Sequence, residues 1–428
     1  MIAVALLIFL ILIALSIPVA GAMGLLGVLL SKLYSFIPLT LAAGDVAWST
    51  STMFILLAIP LYIMMGEVLL RAGIAERMYN AMAAWLSWLP GGLMHSNFGF
   101  CGVFAATSGT SVATAATVGT VAIPQIEKHG YDKRFFLGSL AAGGTVGILI
   151  PPSTNMILYG ILTETSIPKL YLAGFIPGAL LVVMFMVTTL IVCRFVPSAK
   201  GRTVRYTWRE RFAVLPAFIA PIAVFMLVVG SIYAGLATPA ESGALGLAAA
   251  LVLAAKNGQF NWVMLRDAML GAMRTTAMSL ALLVAAYFLN FVIGSIGLTR
   301  AINNLIVSLG LSPYYLLLMI VVFYFLLGMV MDTLTMMVAT IPIIAPLVFA
   351  AGFDPVWFGV LMMILIEMAM ITPPVGLNLF VIQGVRQEGE ITDVMIGALP
   401  YVATMFAFIA TIVLFPQIVT LVPSLLSD

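Results

Sequence analysis

The sequence predicts an all-α, polytopic membrane protein made of two inverted repeats, each with a re-entrant helical hairpin and a proline-broken transmembrane helix. Two observations carry that prediction. Hydrophobic residues fill 63% of the 428 positions and charged residues only 8%, against roughly 25% charged in an ordinary soluble domain. Mean hydropathy is +1.20, which leaves no room for a sizeable water-soluble domain. The second observation is a Pro-Pro step that interrupts an apolar run twice, at Pro151-Pro152 and Pro373-Pro374, 222 positions apart. Each step follows a similar loop by 21 positions, Gly130-Tyr131-Asp132 in one case and Gly352-Phe353-Asp354 in the other. A broken membrane helix exposes backbone groups that lipid does not satisfy, so it persists only where it lines a polar cavity. Two breaks at corresponding positions of two halves point to the binding site of a secondary transporter.

The elements follow in chain order. The apolar run 2–30 has no Lys or Arg before it and is longer than a cleavable signal segment, so it reads as the first span. Further windows near the ~20 residues a bilayer crossing needs fall at 52–70, 135–161, 171–193, 213–235, 239–255, 271–293, 357–382 and 394–415. Stretches 95–126 and 313–350 are apolar but rich in Gly, Ser, Thr and Pro, and fit either pairs of short spans or re-entrant hairpins. Residues 76–89 and 300–311 are amphipathic and are expected at the interface.

Basic residues set the orientation. Arg194, Lys200, Arg202, Arg205, Arg209 and Arg211 form the densest cluster and belong in the cytoplasm. Counting outward places Arg71, Arg77, Lys128, Lys133, Arg134 and the N-terminus inside, provided that 95–126 enters and leaves on one face as a hairpin. The same count puts Gly297 and the Gly352–Pro355 loop outside, and that loop lacks the Lys-Arg pair of its partner. The halves also align at Arg71-Ala72-Gly73-Ile74 with Ser295-Ile296-Gly297-Leu298, and at Ser16-Ile17-Pro18-Val19 with Ala237-Thr238-Pro239-Ala240. The expected organisation is a first repeat at 1–193, a basic loop and linker helix at 194–235, and an inverted second repeat at 236–428. In this reading 213–235 has no counterpart in the first half.

Chemistry concentrates at the tips and breaks. Thr107-Ser108-Gly109-Thr110-Ser111 supplies small hydroxyls in the first hairpin, and a hard cation such as sodium needs oxygen ligands and helix C-terminal carbonyls. The peptide oxygens of Gly147 to Ile150 end one half-helix, and those of Ala369 to Thr372 end the other. After each Pro-Pro step a second half-helix begins, with Ser153, Thr154 and Asn155 in one half and Val375, Gly376 and Asn378 in the other. Its free N–H groups and positive dipole end suit an anion. Thr110, Ser153, Thr154, Asn155, Asp332 and Asn378 are therefore the candidate substrate contacts. Glu67, Glu241, Asp332 and Glu367 are ionisable groups in or beside apolar runs, where such groups are costly. Catalysis finds little support: His95 and His129 are the only histidines, and no phosphate-binding Walker loop is present. The near balance of 18 basic and 16 acidic residues gives no reason to expect a nucleic-acid partner, and Cys101 and Cys193 are expected to be free and buried.

The strings FILLAIPLYIMMGEVLLRAGI (54–74), SGTSVATAATVG (108–119), IPPSTNMILYG (150–160), GLATPAESGALG (235–246) and TPPVGLNLFV (372–381) resemble the large membrane subunit of TRAP transporters, the tripartite ATP-independent periplasmic carriers. The resemblance covers nearly the whole chain. It implies an elevator-type carrier in the bacterial inner membrane, driven by sodium and assisted by a periplasmic binding protein and a small four-helix membrane subunit. Because Met1 opens directly into the large subunit, the small one is expected on a separate chain. Carried over, the first sodium site uses Ser108, Ser111 and the backbone around Gly147, Ile150 and Pro152. The second uses Gly328 and the backbone around Ala369, Thr372 and Val375. The family usually reads ATPTEAA where this chain has Ala237-Thr238-Pro239-Ala240-Glu241-Ser242-Gly243, so no hydroxyl role carries over there. The expected cargo is an organic acid such as a C4-dicarboxylate or a sialic acid. A stand-alone carboxylate or ion transporter of similar architecture and an intramembrane enzyme are the alternatives.

Overall fold

The computed structural model describes residues 1–202, 205–308, 312–329 and 331–426. Among these residues every regular element is helical. Six helices are long and apolar enough to cross a membrane, or up to seven when the pair Lys133–Leu149 and Thr154–Thr163, bent by 45°, counts as one span. The end of the amphipathic stretch 300–311 and position 330 of the second hairpin lie outside the described residues.

The two Pro-Pro steps organise the centre. The first broken helix runs Lys133–Leu149, breaks, and resumes as Thr154–Thr163; the second runs Pro355–Ile371 and resumes as Leu377–Arg386. Both steps hold a cis peptide bond. The residue before each step, Ile150 or Thr372, ends its half-helix in the same extended conformation, φ −88° and ψ 123°. Residues 136–149 and 357–371 are buried all round, the pattern of helices with protein on every side. A third helix, Ile391–Leu414, crosses the first broken helix at two glycines. A Cβ on Gly138 would overlap the Gly397 backbone at 2.0 Å. Asp393 on that helix pairs with Arg134 at 3.0 Å and with Arg386 at 3.3 Å.

Each broken helix follows a hairpin. In the first, Leu93–Ser108 and Ser111–Ala122 turn back on each other at Gly109 and Thr110; in the second, Pro313–Leu327 and Thr333–Ala350 flank the tip. Arms of 16, 12 and 15 residues reach only about 18–24 Å at 1.5 Å per residue, short of the ~30 Å hydrocarbon core. The first hairpin, with two short arms, is therefore too short for a pair of spans, whereas Thr333–Ala350 of the second is among the six helices long enough to cross. A separate wall is formed by Val19–Tyr34, Ala58–Arg71, Pro239–Lys256 and the 34-residue Trp262–Ser295. The buried Tyr62 hydroxyl lies 2.6 Å from Ser242 Oγ within this wall.

Two expectations need correction. The run 2–30 is not one span: Ser16 has φ 58° and Pro18 caps the next helix, so Ile2–Ala14 and Val19–Tyr34 are separate. Ile2–Ala14 therefore precedes Val19–Tyr34 just as Ile219–Tyr233 precedes Pro239–Lys256. In element order the linker helix thus has a counterpart in the first half. Glu241, beside an apolar run, is exposed, and its carboxylate accepts from the Thr238 N–H at 2.8 Å in a capping box.

Candidate functional site

The first hairpin tip rests against the end of the first half-helix because glycines let their backbones meet. A Cβ on Gly147 would lie 2.8 Å from the Thr110 carbonyl oxygen, and one on Gly109 would lie 2.9 Å from that of Pro152. Thr154 Oγ1 donates to the Gly109 carbonyl at 3.4 Å, and Ser153 caps its helix by accepting from Met156 N–H. Ser108, Ser111, Gly147 and Pro152 thus share one place. The second set gathers in the same way: a Cβ on Gly328 would overlap Ala369 Cβ at 2.0 Å, one turn before Thr372. Val375 is the outlier of this set, 45% exposed.

The hydroxyl protons at both places are already committed, which leaves oxygen lone pairs free. Thr114 donates its one proton to the Thr110 carbonyl at 2.8 Å, so Ser108, 2.7 Å away, donates to Thr114. Ser111 donates to Glu367 Oε1, and Thr372 donates to the Met368 carbonyl at 2.7 Å. Ser108, Ser111 and Thr372 are each no more than 3% exposed. Oxygens turned this way suit a small dehydrated cation.

Beside the first tip lies a cavity of about 410 Å³ between the wall and the hairpin tips. Ser108, Thr110, Ser111, Thr154, Asn155 and Asp332 line one side; Glu67, Arg71, Thr275 and Ser279 line the other. Asn155 Nδ2 is buried with no acceptor among the described residues, a donor ready for a ligand at the cavity edge. Asp332 caps its helix through Leu334 and Thr335 N–H at 3.2 and 3.3 Å while also lining the cavity. Ser153 and Asn378 do not line it; Asn378 Nδ2 donates to the Ala141 carbonyl at 3.2 Å, tying the second broken helix to the first.

The family described as Tripartite ATP-independent periplasmic transporter, DctM component, matches residues 6–418. The chain belongs to this family. It is 30% identical to the C4-dicarboxylate TRAP transporter large permease protein DctM of Vibrio cholerae, over 96% of this chain and 94% of that one. It is 29% identical to the sialic acid TRAP transporter permease protein SiaT of Haemophilus influenzae, over 99% of this chain and 68% of that one. In fold it resembles the Alcanivorax borkumensis YdaH transporter, with TM-score 0.54 at 16% identity, covering 83% and 85% of the two chains. The protein is a multi-pass TRAP permease, and a transporter subunit rather than an enzyme.

Two parts of this permease's site escape a site list drawn from the sequence. Glu367 is buried and bonds Ser111 across the two halves; an acid inside an apolar run was the available signal, but its partner lies 256 positions away. Glu67 and Arg71 form an ion pair at the cavity wall, with side chains 21% and 30% exposed. Their (i, i+4) spacing was visible in the sequence, but their place beside the tip was not: a Cβ on Gly66 would lie 2.7 Å from the Ser108 carbonyl oxygen.

Proposed function

We propose that this TRAP permease carries an organic carboxylate across the bacterial inner membrane together with at least two sodium ions. The observation that carries the reading is the pair of matched breaks, each set against glycines and hydroxyls whose lone pairs are free. Sodium would sit at Ser108, Ser111 and the carbonyls of Gly147, Ile150 and Pro152, and at Gly328, Ala369, Thr372 and the backbone toward Val375. The substrate carboxylate would occupy the cavity, drawn by bound sodium, by Asn155 Nδ2 and by the half-helix that opens at Ser153–Asn155. In the elevator reading the hairpins and broken helices move as a body against the wall of Tyr62, Ser242 and the long helix. A carboxylate is the chemistry shared by the C4-dicarboxylate and sialic acid cargoes that name two of the relatives.

Capture of dilute substrate is assigned to a periplasmic binding protein, and bracing of the wall to a small membrane subunit. In proteoliposomes, uptake should need an inward sodium gradient and both partners. Robust micromolar uptake by this chain alone would favour a stand-alone carrier instead.

Opposite orientation of the two repeats makes a separate prediction. Cysteines replacing Lys133 and Pro355 should react with impermeant reagents from opposite sides, Lys133→Cys from the cytoplasm and Pro355→Cys from the periplasm. Cys101 and Cys193 are buried and give little background. Reaction of both from one side would end the inverted-repeat reading.

A further inference from the structure

Among the described residues, Glu367 is the one Asp, Glu, Lys or Arg in the buried class, at 0% exposure. It lies inside Pro355–Ile371, the helix that ends at Thr372. Its Oε1 accepts the Ser111 proton, its Oε2 has no partner among the described residues, and the backbone of Ile148 approaches the same carboxyl. None of the ion pairs among the described residues includes it. An acid so placed is costly unless it is hydrogen-bonded and matched by positive charge. Ser111 opens the helix Ser111–Ala122, so the carboxyl also faces a positive helix end.

We propose that Glu367 is a positioning residue that presents the Ser111 oxygen to the first cation site and ties that site to the second. A serine hydroxyl has one proton and two lone pairs. A cation needs the lone pairs, and a freely turning hydroxyl would offer its proton part of the time. Glu367 takes that proton and fixes the oxygen toward the tip, as outer groups orient the direct ligands of metal sites. The same acid stands two positions before Ala369 and five before Thr372, on a helix buried all round. Filling one site therefore acts on the rigid element that forms the other. This inference rests on the sodium reading above.

The test uses the purified full chain in nanodiscs without substrate, reading melting temperature against sodium concentration, and sodium-dependent uptake in proteoliposomes with its partners. Glu367→Met fills similar volume without an acceptor, whereas Glu367→Gln keeps a carbonyl oxygen for Ser111. Glu367→Met should raise the sodium midpoint on the order of 10–100-fold in both readouts and bring the Hill coefficient toward about one. Glu367→Gln should stay near wild type. Adding Glu367→Met to Ser111→Ala should cost little more, because the effect passes through Ser111. An unchanged midpoint and Hill coefficient in Glu367→Met overturns the inference. So does full additivity with Ser111→Ala, or a Glu367→Gln variant as impaired as Glu367→Met. If Glu367→Met does not fold, Glu367→Leu, which likewise lacks an acceptor for Ser111, takes its place in each comparison. A wild type without sodium dependence in either readout would instead refute the sodium reading itself.

Discussion

Replacing Gly147 with alanine is expected to weaken sodium-driven uptake about five- to hundred-fold while leaving a folded membrane protein. The added methyl would lie 2.8 Å from the Thr110 carbonyl oxygen, 2.9 Å from its carbon and 3.0 Å from Ser111 Cα. All three are backbone atoms, so no flexible side chain can turn aside. The tip has to move off the half-helix, and the carbonyls of Gly147 and Ile150 then separate from the hydroxyls of Ser108 and Ser111. Overpacking of this kind costs about 1–3 kcal/mol, a five- to hundred-fold effect when it falls on the cation-bound arrangement. Gly230→Ala is the contrast. Its methyl would meet nothing within 4 Å in the helix Ile219–Tyr233, and helix propensity alone predicts a gain of about 1 kcal/mol. Uptake against sodium, with thermal unfolding of both variants alongside, separates a displaced tip from general damage. Wild-type sodium dependence in Gly147→Ala would mean that the tip does not work against this half-helix.

What the sequence makes legible depends on how local the cause is. The Pro-Pro steps, the hairpin tips and the Gly-Tyr-Asp and Gly-Phe-Asp loops announce themselves because proline and glycine act on their own backbone. Both loops duly cap helices, through Asp132 and Asp354. The division of 2–30 is also local, but Ser16-Ile17-Pro18 is short and sits within an unbroken hydropathy signal, so the run reads as one span. At Glu241 the Thr-Pro-Ala-Glu spacing spells the capping box that the structure holds, because a cap is set by residues three apart. The Glu367–Ser111 and Asn378–Ala141 contacts join segments more than 230 positions apart. Nothing in local sequence specifies such partners; they follow from how two halves with similar element order pack face to face.

Ser108→Ala and Thr372→Ala should each raise the sodium concentration for half-maximal uptake without weakening docking of a binding protein. Both hydroxyl protons are spent within the protein, on Thr114 and on the Met368 carbonyl. Alanine therefore removes an oxygen whose free lone pairs face the proposed cation. A contact to a charged group is worth about 1.5–3 kcal/mol, so each midpoint should rise on the order of ten- to hundred-fold. The substrate should feel the same loss. A helix end stabilises an anion by only about 0.3–1 kcal/mol, or up to about 2 when partly buried, too little to hold a carboxylate in an apolar setting. Bound sodium has to supply the rest, and by linkage whatever substrate gains from sodium, sodium gains from substrate. The substrate midpoint measured at low sodium should thus rise in both variants and recover at saturating sodium. Because Ser108 and Thr372 lie in different halves, equal behaviour of the two would mark two sites of one kind. Unchanged sodium dependence in both would make these hydroxyls packing groups and move the cation sites elsewhere.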